Sequence, residues 1–376
     1  MKERRFVIGA LLACLVIAAA SYAGLAAAKP GKKAASPFKV AWIYPGPYND
    51  GGWSTAHNLG RLYAVKQLGS KIQTTYKDKA FSNAQVPQIV AGLVRDGYKM
   101  IFATSLGELE YGVNGQLYAK YPKVLFEQAT GQLITKNQSE YFGAGEDTIY
   151  LSGMAAGAAS KKGVIGYVVP FGVPEVVRHI NAFTLGAQAT HPGAKVKIVW
   201  TNAWYSPPKE TAAAKALVAS GADVLGQNVD SPAAGVYAES KGIPWVGYDA
   251  NAKKFAPKQW LTAAVYNWGP YYAKRIQAAI DGTWKPGFYY GSINDGFTSL
   301  APFGPKVSAK TKAAIAAKMA AIKSGKFDVF TGPIYDQSGK LKVPAGTTLK
   351  VRPDLYSMQW LAKGVVGSVS HVPPPG

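Results

Sequence analysis

Short apolar runs alternate with longer amphipathic ones from residue 38 to about residue 281, and this alternation constrains the fold more than any other feature. Phe38-Lys39-Val40-Ala41-Trp42-Ile43-Tyr44 reads as a buried strand, stopped by the turn-rich Pro45-Gly46-Pro47-Tyr48-Asn49-Asp50-Gly51-Gly52. Hydrophobic spacing then predicts a helix over 53–68, a strand over 72–76, a helix over 86–96, a strand over 100–104, a helix over 106–121 and a strand over 124–128. The second half repeats the pattern, with helices at 147–160, 174–191, 208–220, 233–241 and 270–281. Strands are predicted there at 164–169, 195–201, 223–228, 245–248 and 261–266. Short strands separated by helices predict parallel sheets with helices on both faces, because parallel neighbours need a long crossover. Toward the end an Ala/Lys helix is expected over 306–326, a strand over 329–334 and a hairpin over 335–346 that turns at Ser338-Gly339.

The first 28 residues read as a secretory signal. Lys2, Arg4 and Arg5 precede an apolar run from Phe6, and Ala26-Ala27-Ala28 offers a small-residue cleavage site. The run is shorter than the roughly 20 apolar residues that a bilayer span needs. Export to the periplasm is expected, with a tether over 29–37. The only cysteine of the chain, Cys14, follows Leu11-Leu12-Ala13, so a lipid anchor there is the second reading. An exported chain without further cysteine needs no disulfide.

The formal charge is +21, and loss of three cations and one anion with the signal leaves +19. That balance raises nucleic acid or anionic membrane as partners. The lysines are dispersed, with no run of five or six, so a solvated basic surface is expected and no nucleic-acid partner. His57, His179, His191 and His371 lack metal-ligand spacing, and there is no HExxH, GxSxG or P-loop. Neither a metal, a cofactor nor catalysis is expected.

In parallel sheets ligands sit beyond the carboxyl ends of the strands. Aromatic, amide and acidic residues recur there: Tyr44, Tyr48, Asp50 and Trp53; Asn202, Trp204 and Tyr205; Asn228 and Asp230; Asp249 and Asn251; Asn267 and Trp268. Flat ligands stack on such rings at roughly 1–3 kcal/mol per base, and amides and carboxyls pair with their edges. Asp50 and Asp230 could instead cap the helices that follow, and Trp53 and Trp204 could be packing residues.

Three segments carry a likeness that extends over nearly all of residues 38–335. They are Asn49-Asp50-Gly51-Gly52-Trp53-Ser54, Thr201-Asn202-Ala203-Trp204-Tyr205-Ser206-Pro207 and Val246-Gly247-Tyr248-Asp249. With Gly153-Met154-Ala155-Ala156-Gly157 and Val169-Pro170-Phe171-Gly172-Val173-Pro174-Glu175, they resemble the basic membrane protein family of ABC-importer binding proteins. The resemblance implies a type I periplasmic-binding fold, two αβα lobes with parallel sheets joined by a hinge, and a purine base or nucleoside held in the interlobe cleft. It implies that Trp53 and Trp204 sandwich the purine and that Asp249 holds a ribose. Gly153 to Gly157 implies helix packing only. Tyr44 stands where the family has an acid, and Thr130 where it has another unless Glu127 fills that role; with Asp230-Ser231-Pro232 these departures point to a free base such as adenine.

The expected organisation is one lobe from 38–145 with 267–335, a second from 146–266, and a C-terminal extension over 336–376. The expected partner is an ABC permease in the inner membrane, served by a monomer whose closed lobes it recognises. A nucleoside-processing enzyme, or a sensor presenting its ligand to a membrane receptor, are the competing functions. Asp50, Asp230 and Asp249 are the carboxylates an enzyme would use.

Overall fold

The computed structural model describes residues 36–105 and 115–373. The expected signal, most of the tether, Cys14 and residues 106–114 of one expected helix lie outside the described residues.

The first half builds one sheet. Its elements are β1 (Phe38–Ile43), α1 (Trp53–Leu68), β2 (Ile72–Lys77), α2 (Val86–Arg95), β3 (Met100–Ala103), α3 (Leu117–Lys120), β4 (Leu125–Ala129) and β5 (Gln138–Gly143). All pair in parallel. β1 is apolar throughout its second half because the sheet is covered on both faces. Ala41 and Ile43 pack with Val86, Val90 and Leu93 of α2, whereas Val40 and Trp42 alternate to the other face.

The second half builds another: α4 (Gly145–Ala159), β6 (Val164–Val169), α5 (Pro174–Thr190), β7 (Lys195–Trp200), α6 (Pro207–Ala219), β8 (Val224–Gln227), α7 (Ala233–Lys241), β9 (Trp245–Asp249) and β10 (Trp260–Tyr266). Its strands are again parallel. Ile165, Tyr167 and Val169 of β6 face the core shared with Ile180 and Phe183 of α5, while Val168 faces Leu217 of α6. Helices α4 and α5 approach closely because Gly153 and Gly157 abut the carbonyl oxygens of Phe183 and Ala187, where a Cβ would not fit. This is the packing role the small-residue helix implied.

The remaining elements are α8 (Trp268–Ile280), β11 (Phe288–Gly291), β12 (Thr298–Leu300), α9 (Ala309–Lys323), β13 (Ile334–Tyr335), β14 (Leu341–Val343) and β15 (Val365–Val366). Helix α8 packs on α1, and β11 extends the first sheet beside β5. The sheet orders are β11-β5-β4-β3-β1-β2 and β12-β10-β9-β8-β6-β7-β15. The two αβα lobes are thus joined where β5 leads into α4, β10 into α8 and β11 toward β12. These are the lobes of a type I periplasmic-binding fold.

Four local expectations need correction. β12 pairs antiparallel with β10 of the second sheet, although residues 267–335 were expected in the first lobe. Strand β5 was not anticipated because Gln138, Ser139 and Glu140 are polar, yet all six of its residues are buried. Their polarity is matched in place: Ser139 Oγ accepts from Arg275 Nη2 at 2.7 Å, and Glu140 pairs with Arg352 at 2.6 Å. Of the strand expected over 329–334, residues 329–333 form a turn with isolated bridges and only Ile334 enters a strand, β13, which pairs with β14 in the expected hairpin. The C-terminal extension also joins the body: β15 adds a parallel strand beside β7, and Asn181 bonds Trp360 and Ala362 main chain at 2.8 and 2.7 Å.

Candidate functional site

The carboxyl ends of the two sheets enclose a cavity lined by Pro45, Trp53, Ser105, Thr130, Glu175, Trp204, Asn228, Asp230 and Tyr248. Every one of these follows or ends a strand, or opens the helix after one. The parallel arrangement forces this, because it directs all strand ends of a sheet the same way.

Trp53 and Trp204 reach the cavity from opposite lobes. Trp53 begins α1, and its indole Nε1 donates to the Thr104 carbonyl at 2.6 Å. Phe142, His57, Tyr266 and Trp268 surround its ring at centroid distances of 4.6–6.2 Å, so its orientation is fixed by packing. Trp204, in the loop between β7 and α6, leans on Phe171 at 5.4 Å and is half-buried.

Asp230 and Glu175 supply the acidic groups of the wall. Asp230 is buried, and its carboxyl makes no hydrogen bond to a described residue. Burial first, then the charges of Asp50 and Asp249, raise its pKa well above the usual carboxylate range. Burial likewise pushes Glu175 up to about 7, opposed by Arg178 and reinforced by Glu146. A carboxyl that keeps its proton near neutrality both donates and accepts, which suits the edge of a heteroaromatic base. Although the chain carries 42 Lys and Arg, neither type is among the residues lining this cavity.

Asn228 and Tyr248 are held by one imidazole. His179 Nδ1 lies 3.3 Å from Asn228 Nδ2 and 3.4 Å from the Tyr248 hydroxyl, and burial lowers its pKa well below the ordinary value, so the ring is neutral. Thr130 follows β4 with a left-handed φ of 58°, and its Oγ1 is buried without a hydrogen-bond partner.

Of the eight residues singled out in the sequence, Trp53, Thr130, Trp204 and Asp230 meet at this cavity. The other four do not line it. Asp50 accepts from the backbone N–H groups of Gly52, Ser54 and Thr55, each at 2.9 Å, and so closes the first turn of α1. Tyr44 is buried, stacked on Tyr76 at 5.6 Å. Glu127 is a fully buried hub that accepts from Arg275 Nε at 2.5 Å and from the Tyr271 hydroxyl and Trp284 indole, both at 2.7 Å. Asp249 ends β9 with a φ of 64°, and it lines a second cavity with Tyr266, Asn267 and Trp268. Neither of its buried oxygens is hydrogen-bonded. Asn228 was named in the sequence among the polar residues that follow strands; Glu175 and Tyr248 were not singled out as site residues, yet each belongs to a segment just after a strand or at its end, which was the available signal.

A cleft between two lobes of parallel sheets, walled by a tryptophan from each and by the acids Asp230 and Glu175, defines a solute-binding protein. The chain belongs to the family described as ABC transporter substrate-binding protein PnrA-like, whose model matches residues 38–326. It is 40% identical over 308 residues to a purine-binding protein of Brucella abortus, covering 82% of this chain and 87% of that one. It is 33% identical over 300 residues to the Haloferax volcanii protein named "Putative ABC transporter glucose-binding protein TsgA13", covering 79% of this chain and 75% of that one. Among solved structures, an ABC transporter solute-binding protein from Conexibacter woesei superposes with a TM-score of 0.63 at 21% identity, covering 77% of this chain and 98% of that one. That likeness bears on the fold alone. The protein is an ABC transporter substrate-binding protein.

Proposed function

We propose that the interlobe cleft binds a purine base or nucleoside and that the exported protein delivers it to an ABC permease, without catalysis. The observation that carries this reading is the placement of Trp53 and Trp204 on opposite lobes of one cavity whose polar wall is made of Asp230, Glu175 and Asn228. Two indoles supply stacking, at roughly 1–3 kcal/mol per base by truncation. Carboxyls whose pKa is raised by burial, and an amide, supply donors and acceptors for the edge of a base. The lack of lysine and arginine on the wall disfavours a phosphorylated ligand at this point. The likeness to a purine-binding protein over most of both chains agrees with it.

Extracytoplasmic action fits the signal-like first 28 residues. Among the described residues no helix is long and apolar enough to cross a membrane.

Mass spectrometry of small molecules released from the purified protein, followed by calorimetric titration with adenine, adenosine and glucose, tests the reading. A purine should be released and should bind. Glucose binding in place of purines, or adenine released catalytically from adenosine, would overturn it.

A further inference from the structure

A side chamber opens beside the cleft and shares Thr130 and Glu175 with it. Its far wall is Phe142, Arg178 and Tyr356. Arg178 is only 2% exposed, yet its guanidinium makes no hydrogen bond to a described residue; its contact with Glu146 is 3.6 Å long, and Nε has no hydrogen-bond partner. Phe142 and Tyr356 rings lie 5.4 and 5.3 Å from the guanidinium carbon and fix the plane of the fork. The Tyr356 hydroxyl and Thr130 Oγ1 are also buried without hydrogen-bond partners. Buried polar groups left unpaired cost free energy unless something bonds them. Three unpaired atoms on the walls of one chamber point to a ligand group with oxygen acceptors.

The charge balance narrows that group. Glu146 already matches the charge of Arg178, and the Tyr290 hydroxyl donates to Glu146 at 2.8 Å. Glu175 adds a second carboxyl on the chamber wall. A phosphate would face both acids. An uncharged hydroxyl or carbonyl oxygen would not. Tyr356 lies beyond residue 326, where the family match stops, so this wall is supplied by the C-terminal segment of this chain. That segment is tied to the first lobe by Arg352, which donates to Glu140 Oε2 at 2.6 Å and to the Gly131 carbonyl at 2.9 Å.

We propose that the chamber is a second subsite of the ligand cleft, taking an uncharged, oxygen-bearing substituent of the bound ring with Arg178 and Tyr356 as hydrogen-bond donors. The proposal rests on the purine reading of the cleft. It places such a substituent at Arg178, away from Asp249.

The full exported chain is titrated with adenine, adenosine and adenosine 5′-monophosphate, unaltered and as Arg178→Lys and Tyr356→Phe. Lysine keeps the positive partner of Glu146 but loses the fork. Adenosine should bind the unaltered protein about tenfold more tightly than adenine, as a charge-assisted hydrogen bond predicts. Arg178→Lys should remove that advantage while leaving adenine within about twofold, and Tyr356→Phe, which keeps its ring packing, should reduce it about threefold. The monophosphate should bind more weakly than adenosine. Equal binding of adenine and adenosine to the unaltered protein, equal loss for both in the variants, or tightest binding of the monophosphate would overturn the subsite alone. Binding of no purine would defeat the purine reading, and the subsite with it. If Arg178→Lys fails to fold, Tyr356→Phe decides the matter by the same criteria.

Discussion

Trp53 of the first lobe and Trp204 of the second, 151 positions apart in sequence, line the same cavity. They are not equivalent, since Trp53 is packed among four other rings and bonded to the Thr104 carbonyl while Trp204 is half-buried against Phe171.

Trp204→Ala is therefore the cleaner probe. It should weaken purine binding by roughly 1–3 kcal/mol with little change in melting temperature. Trp53→Ala should weaken binding too, but with a stability cost of about 3–5 kcal/mol from the packing it loses. Calorimetry and thermal melts on the same samples separate the two effects; full affinity in both variants would remove the tryptophan sandwich.

Asp230 offers a carboxyl to the cavity with no hydrogen bond to a described residue and a raised pKa. If it meets the base as a protonated acid, Asp230→Asn keeps one donor and one acceptor and should retain affinity within about threefold, whereas Asp230→Ala should lose about 1–3 kcal/mol. Isothermal titration of both variants at pH 7 reads the difference. Equal affinities for the two would show that Asp230 makes no hydrogen bond to the ligand.

Glu127 was expected beside the ligand, but Arg275, Tyr271 and Trp284 occupy it. Removing one partner of a buried ion pair typically costs about 3–5 kcal/mol; with Arg275 partly exposed, Glu127→Ala should fall at the lower end. Urea unfolding should show that loss, and ligand affinity of the folded protein should change less than twofold. A selective loss of affinity without loss of stability would return Glu127 to the site.

Stability without ligand should fall as pH rises. Burial pushes Glu175 and Glu210 up to about 7 and, with the charges of Glu146 and Asp328, Asp147 up to about 8. Each carboxyl is protonated in the folded protein over a range where the unfolded chain has lost its proton, so folding binds protons there. The stability is greatest below the unfolded values of about 4 and declines through pH 7–8. Melting temperatures at pH 5.5 and 8.5 should therefore differ, the latter lower, and Glu175→Gln should reduce the difference. A flat profile or the opposite slope would contradict the assignment.

The β–α alternation was legible because a strand covered on both faces must be apolar along its length. β1 and β6 carry Val, Ile and Trp or Tyr for that reason, and α1 and α7 occupy the residues that their spacing predicted. Position after a strand was legible too, which brought Trp53, Trp204 and Asp230 into view, while Thr130 came from the family resemblance. β5 was not, because its Gln, Ser and Glu look solvated until Arg275 and Arg352 arrive from more than 130 residues away to pair with them.

The sequence by itself determined local periodicity, the parallel architecture and the ends of strands at which a ligand would lie, since each depends on neighbours a few residues apart. Which of the candidate acids faces the cavity was decided only by the tertiary structure. Asp50 turns back onto the amides of its own helix, Glu127 is claimed by α8 and the loop beyond it, and Asp230 is left facing the cleft. A side chain's role is set by which partners reach it first, and those partners are distant in sequence. The same reason hid the chamber at Arg178, whose wall is closed by Tyr356 from the end of the chain.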